Sequence, residues 1–127
     1  METIEKKIIK GGEFIIKKTK CDEVFTPEDF SDEQKMMRDA VKDFTDKEIW
    51  SKKHEFENHN YQLTADVMKK AGNLGFLGVN VPEEYGGLGM PFTSSMLVCD
   101  YISGSSGSTS TAFGAHTGIG TMPITLY

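Results

Sequence analysis

Apolar side chains recur at spacings of three and four residues in the middle of the chain, which is the period of an amphipathic helix. The first such stripe contains Met37, Ala40, Val41, Phe44 and Ile49. Ser31 precedes it and Gln34 follows three residues later, an arrangement typical of a helix cap. The pattern predicts a core-facing helix from about Ser31 to at least Trp50.

A second stripe predicts a helix from Leu63 to Leu74, with Val67 and Ala71 on the same face. Gly75 follows directly, and glycine is the residue that most readily ends a helix in the left-handed conformation. The next segment, FLGVNVP, is predicted to leave the helix as a short extended stretch.

Turn residues dominate the segment EEYGGLGMP, from Glu83 to Pro91, because adjacent glycines and flanking prolines disfavour regular structure. A third helix, buried on most sides, is predicted from Thr93 to Ser103, with Thr93 as its cap. GEFIIKK, from Gly12 to Lys18, is predicted to form a short extended arm. The chain has no repeats and no run of strands, so the predicted fold class is all-α, with helices arranged as an up-and-down bundle.

The segment GSSGSTSTAFGAHTGIG, from Gly104 to Gly120, has twelve Gly, Ser or Thr residues out of seventeen. It is open to three interpretations: a flexible linker, a phosphate-binding loop, or a slender helix against which something else lies. A linker is disfavoured because only seven residues follow Gly120. A helix from about Ser106 to Thr117 would be weak alone, since each glycine costs about 1 kcal/mol relative to alanine, and tertiary packing would have to hold it.

Composition narrows the possible partners. The formal net charge of −5 disfavours nucleic acid, which requires a basic face. Residues 1–20 carry six Lys against three Glu, so this arm is either a solvated tail or a contact for a membrane or an anionic ligand. No apolar run is long enough for a transmembrane helix. Cys21 and Cys99 lack CxxC spacing and are expected to be reduced thiols of a cytoplasmic protein.

Other chemistry receives little support from the residues. His54 and His59 are five apart rather than the four that places two metal ligands on one helical face, so no metal site is predicted. Glu83 and Glu84 are neighbours whose side chains diverge. The glycine pairs fit neither the dinucleotide-binding nor the P-loop pattern, because no βαβ unit surrounds them and no GK[ST] follows.

Two motifs together resemble the N-terminal helical domain of the acyl-CoA dehydrogenases: LGFLGVNVPEEYGGLG, and GAHTGIGTMPI about thirty residues later. The resemblance covers roughly residues 25–127. It implies an N-terminal arm at 1–25 and a helical domain at 26–127, which in this family precedes a central β domain and a C-terminal helical domain. The chain therefore resembles the first domain of a longer enzyme, either as a fragment or as a shortened form.

The resemblance also implies an activity. Members of the family bind FAD and remove two hydrogens from the α and β carbons of a fatty acyl-CoA in β-oxidation, and electron-transfer flavoprotein commonly reoxidises the flavin. The family's catalytic glutamate and most of its flavin contacts belong to the later domains. No catalytic or cofactor-binding residue is therefore assigned here, the chain alone is expected to be inactive, and the full-length protein is expected to be a homo-oligomer.

In this family the helix before GxxPI lines the deep end of the acyl pocket. The matching positions are Thr111, Gly114, Ala115, Gly118 and Ile119. They are mostly small, and GAH-x-x-IG is similar to the very-long-chain members, which implies long-chain substrates. Alternatively, Gly114 and Gly118 only allow close helix packing. At the level of function, the alternatives are an acyl-CoA oxidase or flavin monooxygenase of the same superfamily, and a helical interaction module without enzymatic activity.

Overall fold

The computed structural model describes residues 8–127, of which the regular structure is entirely helical, with no strand. Helix accounts for 73% of the structure, which confirms the predicted all-α class. The described residues divide into two compact units, with the boundary between Glu33 and Gln34.

The first unit contains one short helix, α1 (Glu13–Ile16), and two 3-10 turns, Cys21–Glu23 and Pro27–Asp29. The predicted extended arm at Gly12 to Lys18 is therefore wrong. Gly11 turns the chain with a φ of +53°, and the Lys17 ammonium lies 2.6 Å from the Glu13 carboxylate one helical turn earlier. An i,i+4 pair of this kind favours a helical turn over an extended one.

The remaining helices begin with α2 (Asp32–Glu48), whose first two residues belong to the first unit, and continue through the second unit. The others are α3 (Lys53–Glu57), α4 (Tyr61–Asn73), α5 (Phe92–Ser105), α6 (Gly107–Gly114), a π-helical segment (Ala115–Gly120) and α7 (Thr121–Leu126). The predicted first helix is thus shorter than expected, because a 3-10 turn at Trp50–Lys52 separates α2 from α3.

The core forms where α2, α4, α5 and α6 turn their apolar faces inward. Its fully buried members include Val41, Ile49, Val98 and Phe113, and the rings of Phe44 and Phe76 meet edge to face at 5.5 Å. The residues of the first predicted apolar stripe are buried or partly buried, except for Ala40, which is exposed. Val67 and Ala71 are buried as α4 predicts, whereas Leu74 is 56% exposed.

α2 and α5 are joined through a polar contact. The Gln34 side-chain amide donates to the hydroxyls of Thr93, at 3.1 Å, and Ser94, at 3.0 Å. Thr93 was expected to cap α5, and this prediction is wrong: the helix begins one residue earlier, after Pro91, without a side-chain cap. The Thr93 hydroxyl instead accepts the hydrogen bond from α2.

Between α4 and α5 the chain forms a compact double turn. Gly75 has a φ of +81°, which confirms the left-handed end predicted for α4. FLGVNVP is not extended as predicted: Phe76–Gly78 is a 3-10 turn. The carbonyl groups of FLGVNVP accept hydrogen bonds from the glycine-containing segment that follows it. The Leu88 N–H donates to the Gly78 carbonyl and the Met90 N–H to the Val79 carbonyl, each at 2.9 Å.

Candidate functional site

The Gly-rich segment forms a continuous helical rod from Gly107 to Leu126, made of α6, the π-helical segment and α7. This agrees with the slender-helix interpretation and excludes a flexible linker. The predicted helix end at Thr117 is too early, because the chain continues through the π-helical segment into α7. π-helical turns are rare and frequently occur at functional sites.

Tertiary packing and local hydroxyl bonds hold this weak helix. Phe113 is 1% exposed and anchors α6, which packs against α3, α4 and α5. Threonine hydroxyls bond back to the preceding turn, Thr111 to the Gly107 carbonyl at 3.0 Å and Thr117 to the Phe113 carbonyl at 2.9 Å. In the wider π turn, the Thr121 hydroxyl donates to the His116 carbonyl, five residues back, at 2.7 Å.

A groove of about 480 Å³ runs between this rod and α5. One wall is formed by residues of the rod, Gly114, Thr117, Gly118 and Ile119, and the other by residues of α5, Phe92, Ser95, Met96 and Cys99. Asn80 and Met122 meet at the groove as well, where the Asn80 amide donates to the Met122 sulfur at 3.2 Å. The volume lies in the range of small-molecule sites, and the lining is mostly apolar.

The five residues predicted for the acyl pocket are only partly brought together. Gly114, Gly118 and Ile119 line the groove, and Ile119 is 82% exposed. Thr111 and Ala115 lie on the same rod and are exposed, but neither lines the groove.

The two glycines of the groove are not required for packing among the described residues. A Cβ atom added to Gly114 or Gly118 would meet no atom within 4 Å, apart from the helix's own backbone and adjacent residues. A Cβ at Gly120, by contrast, would lie 3.0 Å from the Ala115 carbonyl oxygen. The missing side chains at Gly114 and Gly118 therefore enlarge a groove rather than admit a neighbouring helix of this domain.

Sequence reasoning missed the α5 wall. Phe92, Ser95, Met96 and Cys99 follow the spacing i, i+3, i+4, i+7, which places them on one helical face. That spacing was a usable signal, but α5 was expected to be buried on most sides. The structure buries the face with Ser94 and Val98, and leaves Phe92 60% and Met96 46% exposed.

The groove lies in a part of the chain without basic side chains. From residue 71 to residue 127 there is no Lys or Arg, and the charged residues are Glu83, Glu84 and Asp100. Phosphate groups are generally bound by Lys and Arg or by free backbone N–H groups. All five glycines of residues 104–120 lie within helical segments, so they do not form an irregular glycine-rich loop of the P-loop kind.

Basic and acidic groups instead meet on the surface between α2 and α4. The Glu48 carboxylate accepts from the ammonium groups of Lys52, at 2.8 Å, and Lys70, at 2.7 Å. Hydrogen bonds from Lys52 first and Lys70 second hold the pKa of the Glu48 carboxyl below its ordinary value. Within the described residues no group of three His, Cys, Asp or Glu side chains is placed to bind a metal.

Comparison with known proteins identifies the family. The family model for the acyl-CoA dehydrogenase N-terminal domain matches residues 31–127. The chain belongs to this family. A crystal structure of an acyl-CoA dehydrogenase complexed with FAD from Bacillus anthracis is 42% identical, has a TM-score of 0.83, and is matched over 93% of this chain and 20% of that one.

Two relatives of this chain differ in their names and in their sequence identity to it. A probable acyl-CoA dehydrogenase of Bacillus subtilis is 43% identical over 93% of this chain and 20% of its own length. The mitochondrial isovaleryl-CoA dehydrogenase of Solanum tuberosum is 35% identical over 71% of this chain and 22% of its own length. The chain thus spans about a fifth of the proteins it matches.

None of the helices in residues 8–127 is long and apolar enough to cross a membrane.

Proposed function

We propose that this chain is the acyl-pocket domain of an FAD-dependent acyl-CoA dehydrogenase that acts on long-chain fatty acyl-CoA. The observation that carries the proposal is the groove of about 480 Å³ whose rod-side wall lacks side chains at Gly114 and Gly118. Family membership supplies the reaction class, the α,β-dehydrogenation of an acyl thioester.

The chemistry of the groove suits a hydrocarbon tail. Its lining is mostly apolar, and transfer of each methylene group from water into such a groove contributes about 0.8 kcal/mol. The absence of Lys and Arg from residues 71–127 suits an uncharged guest. The phosphates of coenzyme A and of FAD would accordingly be bound by other parts of the enzyme.

Long-chain preference rests on the small side chains along the rod. The relatives include an isovaleryl-CoA dehydrogenase, so membership of the family does not by itself fix chain length. Gly114 and Gly118 leave space, and Thr111 and Ala115 present short side chains on exposed parts of the same rod. In the proposal the acyl chain contacts Gly114, Gly118 and Ile119 in the groove, and Thr111 and Ala115 are retained as predicted contacts elsewhere on the same rod.

Further parts of the proposal rest on the family resemblance alone. They are electron-transfer flavoprotein as the electron acceptor, a homo-oligomeric enzyme, and a role in fatty-acid β-oxidation. Cytoplasmic location is supported by Cys21 and Cys99, which are free thiols in the structure.

The test compares chain-length profiles of the intact enzyme. Gly114→Leu and Ala115→Glu should lower kcat/KM for palmitoyl-CoA about tenfold or more relative to butyryl-CoA, because one or two lost methylene contacts already change selectivity by that amount. Gly104→Leu is the matched control, since Gly104 lies on α5 with open space around it and does not line the groove.

Two results would contradict the proposal. Unchanged relative kcat/KM values in both the Gly114→Leu and the Ala115→Glu enzyme would remove the pocket role of the rod. Rapid reoxidation of the reduced flavin by oxygen, with peroxide formed in step with the enoyl-CoA product, would assign the enzyme to the acyl-CoA oxidases instead.

A further inference from the structure

We propose that α5 supplies the second wall of the acyl groove, and that Met96 and Cys99 determine its width and therefore its selectivity. This inference rests on the proposed function, and it assigns specificity to a helix outside the Gly-rich motif. The occupant is the hydrocarbon tail of the acyl thioester.

One face of α5 is buried in the core, and another face lines the groove. Ser94, Val98 and Ile102 are buried in the domain core. Met96 and Cys99 lie on the other face and line the groove opposite Gly114 and Gly118. Because the rod has no side chains at these two glycines, the space between the walls at their level is limited by the α5 side chains.

Met96 is one of the α5 side chains that line the groove. It is 46% exposed although it lies in the middle of a helix whose other face is core. Methionine is flexible and polarisable, and it adapts to apolar guests of different shape. Cys99 lies one turn further along, partly buried, with its sulfur 3.6 Å from the Ser103 hydroxyl.

The charge distribution favours a hydrocarbon occupant over a charged one. No Lys or Arg occurs from residue 71 onward, and the Asn80 amide at the groove is bonded to the Met122 sulfur. The groove therefore offers a mostly apolar surface, and its volume of about 480 Å³ falls within the range of ligand sites.

The first experiment narrows the groove from the α5 side in the intact enzyme. Met96→Trp should lower kcat/KM for palmitoyl-CoA about tenfold relative to butyryl-CoA, since lost apolar contacts of one or two methylenes change selectivity by this amount. Met36→Trp is the control, because Met36 is 73% exposed on α2 and does not line the groove.

The second experiment does not depend on turnover. The intact enzyme is alkylated with N-ethylmaleimide, and labelling of each cysteine is followed by peptide mass spectrometry. Palmitoyl-CoA should slow the labelling of Cys99 about tenfold, and butyryl-CoA should protect it less. Cys21 is exposed and serves as the internal control, whose labelling neither compound should change.

The outcomes separate this inference from the proposed function. Equal labelling of Cys99 with and without palmitoyl-CoA would overturn the α5 wall, as would an unchanged chain-length profile in a folded Met96→Trp enzyme. Cys99 that is unreactive in both states would also overturn it, because the groove would then be filled by another part of the protein. Failure of acyl-CoA to reduce the flavin of the unmodified enzyme would instead refute the proposed function itself.

Discussion

A Cβ atom placed on Gly87 would overlap the carbonyl group of Val81. Gly87 lies in the double turn between α4 and α5, where its own N–H donates to the Pro82 carbonyl at 3.2 Å. Position 87 requires glycine because another part of the backbone lies so close to it. The φ angle is not the reason, because Gly87 is not among the described residues with a positive φ.

Gly87→Ala should therefore destabilise the fold by about 2 kcal/mol or more, the cost of forcing a side chain into a filled site. Gly104→Ala is the matched control. It lies in α5 with no neighbouring atom within 4 Å of its Cβ, so it should stabilise the helix by about 0.5–1 kcal/mol. Urea denaturation monitored by circular dichroism measures the free energy of unfolding of both variants. Equal midpoints would contradict a clash between a Cβ at position 87 and the Val81 carbonyl group.

The Glu48 carboxylate gives the fold a pH dependence of definite sign. Hydrogen bonds from Lys52 and Lys70 lower its pKa in the folded state. The stabilisation is present above the unfolded pKa of about 4.3, and it is lost as the pH falls from there through the lower folded pKa. Lys70 is half exposed, so solvent screening limits the contribution to about 1 kcal/mol or less.

Glu48→Gln should accordingly lower stability at neutral pH by up to about 1 kcal/mol, and the difference from the unaltered chain should disappear in strong acid. Asp43→Asn is the control, because the Asp43–Lys47 pair is 3.2 Å apart with both side chains more than 70% exposed. Thermal unfolding at a series of pH values measures the difference. A loss that persisted unchanged in strong acid would show that the amide perturbs packing instead.

At the scale of elements, periodicity located α2 and α4 because each buries one apolar stripe, and the stripe is a property of the local sequence. The irregular segments were not predicted. The Gly78 carbonyl in the turn Phe76–Gly78 accepts from the Leu88 N–H, ten positions later, and the next carbonyl, of Val79, accepts from the Met90 N–H. The conformation of this segment therefore depends on partners that no local pattern reveals. The extended interpretation of FLGVNVP failed for this reason.

The groove was predictable in part. Small residues in the Gly-rich segment indicated one wall. Because glycine weakens a helix, a run of small residues suggests that something must lie close to it. The wall on α5 escaped prediction, since apolar residues on both faces of a helix do not reveal which face meets the core. Phe92 and Met96 are as apolar as Leu97 and Val98, and the packing of α5 against neighbouring helices such as α6 decides which pair is buried.

The small residues of the rod either leave space for an acyl chain or allow close helix packing, and a substitution at Gly114 distinguishes these two explanations. Gly114→Ala should raise stability by about 0.5–1 kcal/mol, because the residue is helical and its Cβ meets no neighbour within the described domain. The same change should lower kcat/KM of the intact enzyme for palmitoyl-CoA more than for butyryl-CoA, since the methyl group enters the groove. Thermal unfolding and steady-state kinetics measure the two effects.

The control for Gly114→Ala is again Gly104→Ala, which should give a similar gain in stability without a change in the chain-length profile. If Gly114→Ala destabilised the enzyme, the glycine would be required for close packing, in this case against a part of the protein outside the described residues. A stability gain together with a selectivity loss is the signature of a residue retained for its ligand.

At the scale of the whole molecule, the basic side chains and the groove belong to different parts of the chain. Residues 71–127 contain no Lys or Arg, and the basic residues of the second unit lie on α2, α3 and α4 and in the turn between α2 and α3. The chain produced alone should therefore purify colourless, without FAD, and should not oxidise palmitoyl-CoA. Absorbance of the purified chain in the flavin region measures the bound cofactor, and far-UV circular dichroism confirms that the sample is helical.

The intact protein, purified in the same way, is the control and should carry flavin. One FAD bound per helical 127-residue chain would contradict the prediction, and it would require a phosphate site built from backbone N–H groups or from the basic residues before position 71. Such a result would not by itself contradict the proposed hydrocarbon groove. It would place the flavin on this domain, and the α and β carbons of the proposed substrate would then have to lie next to it.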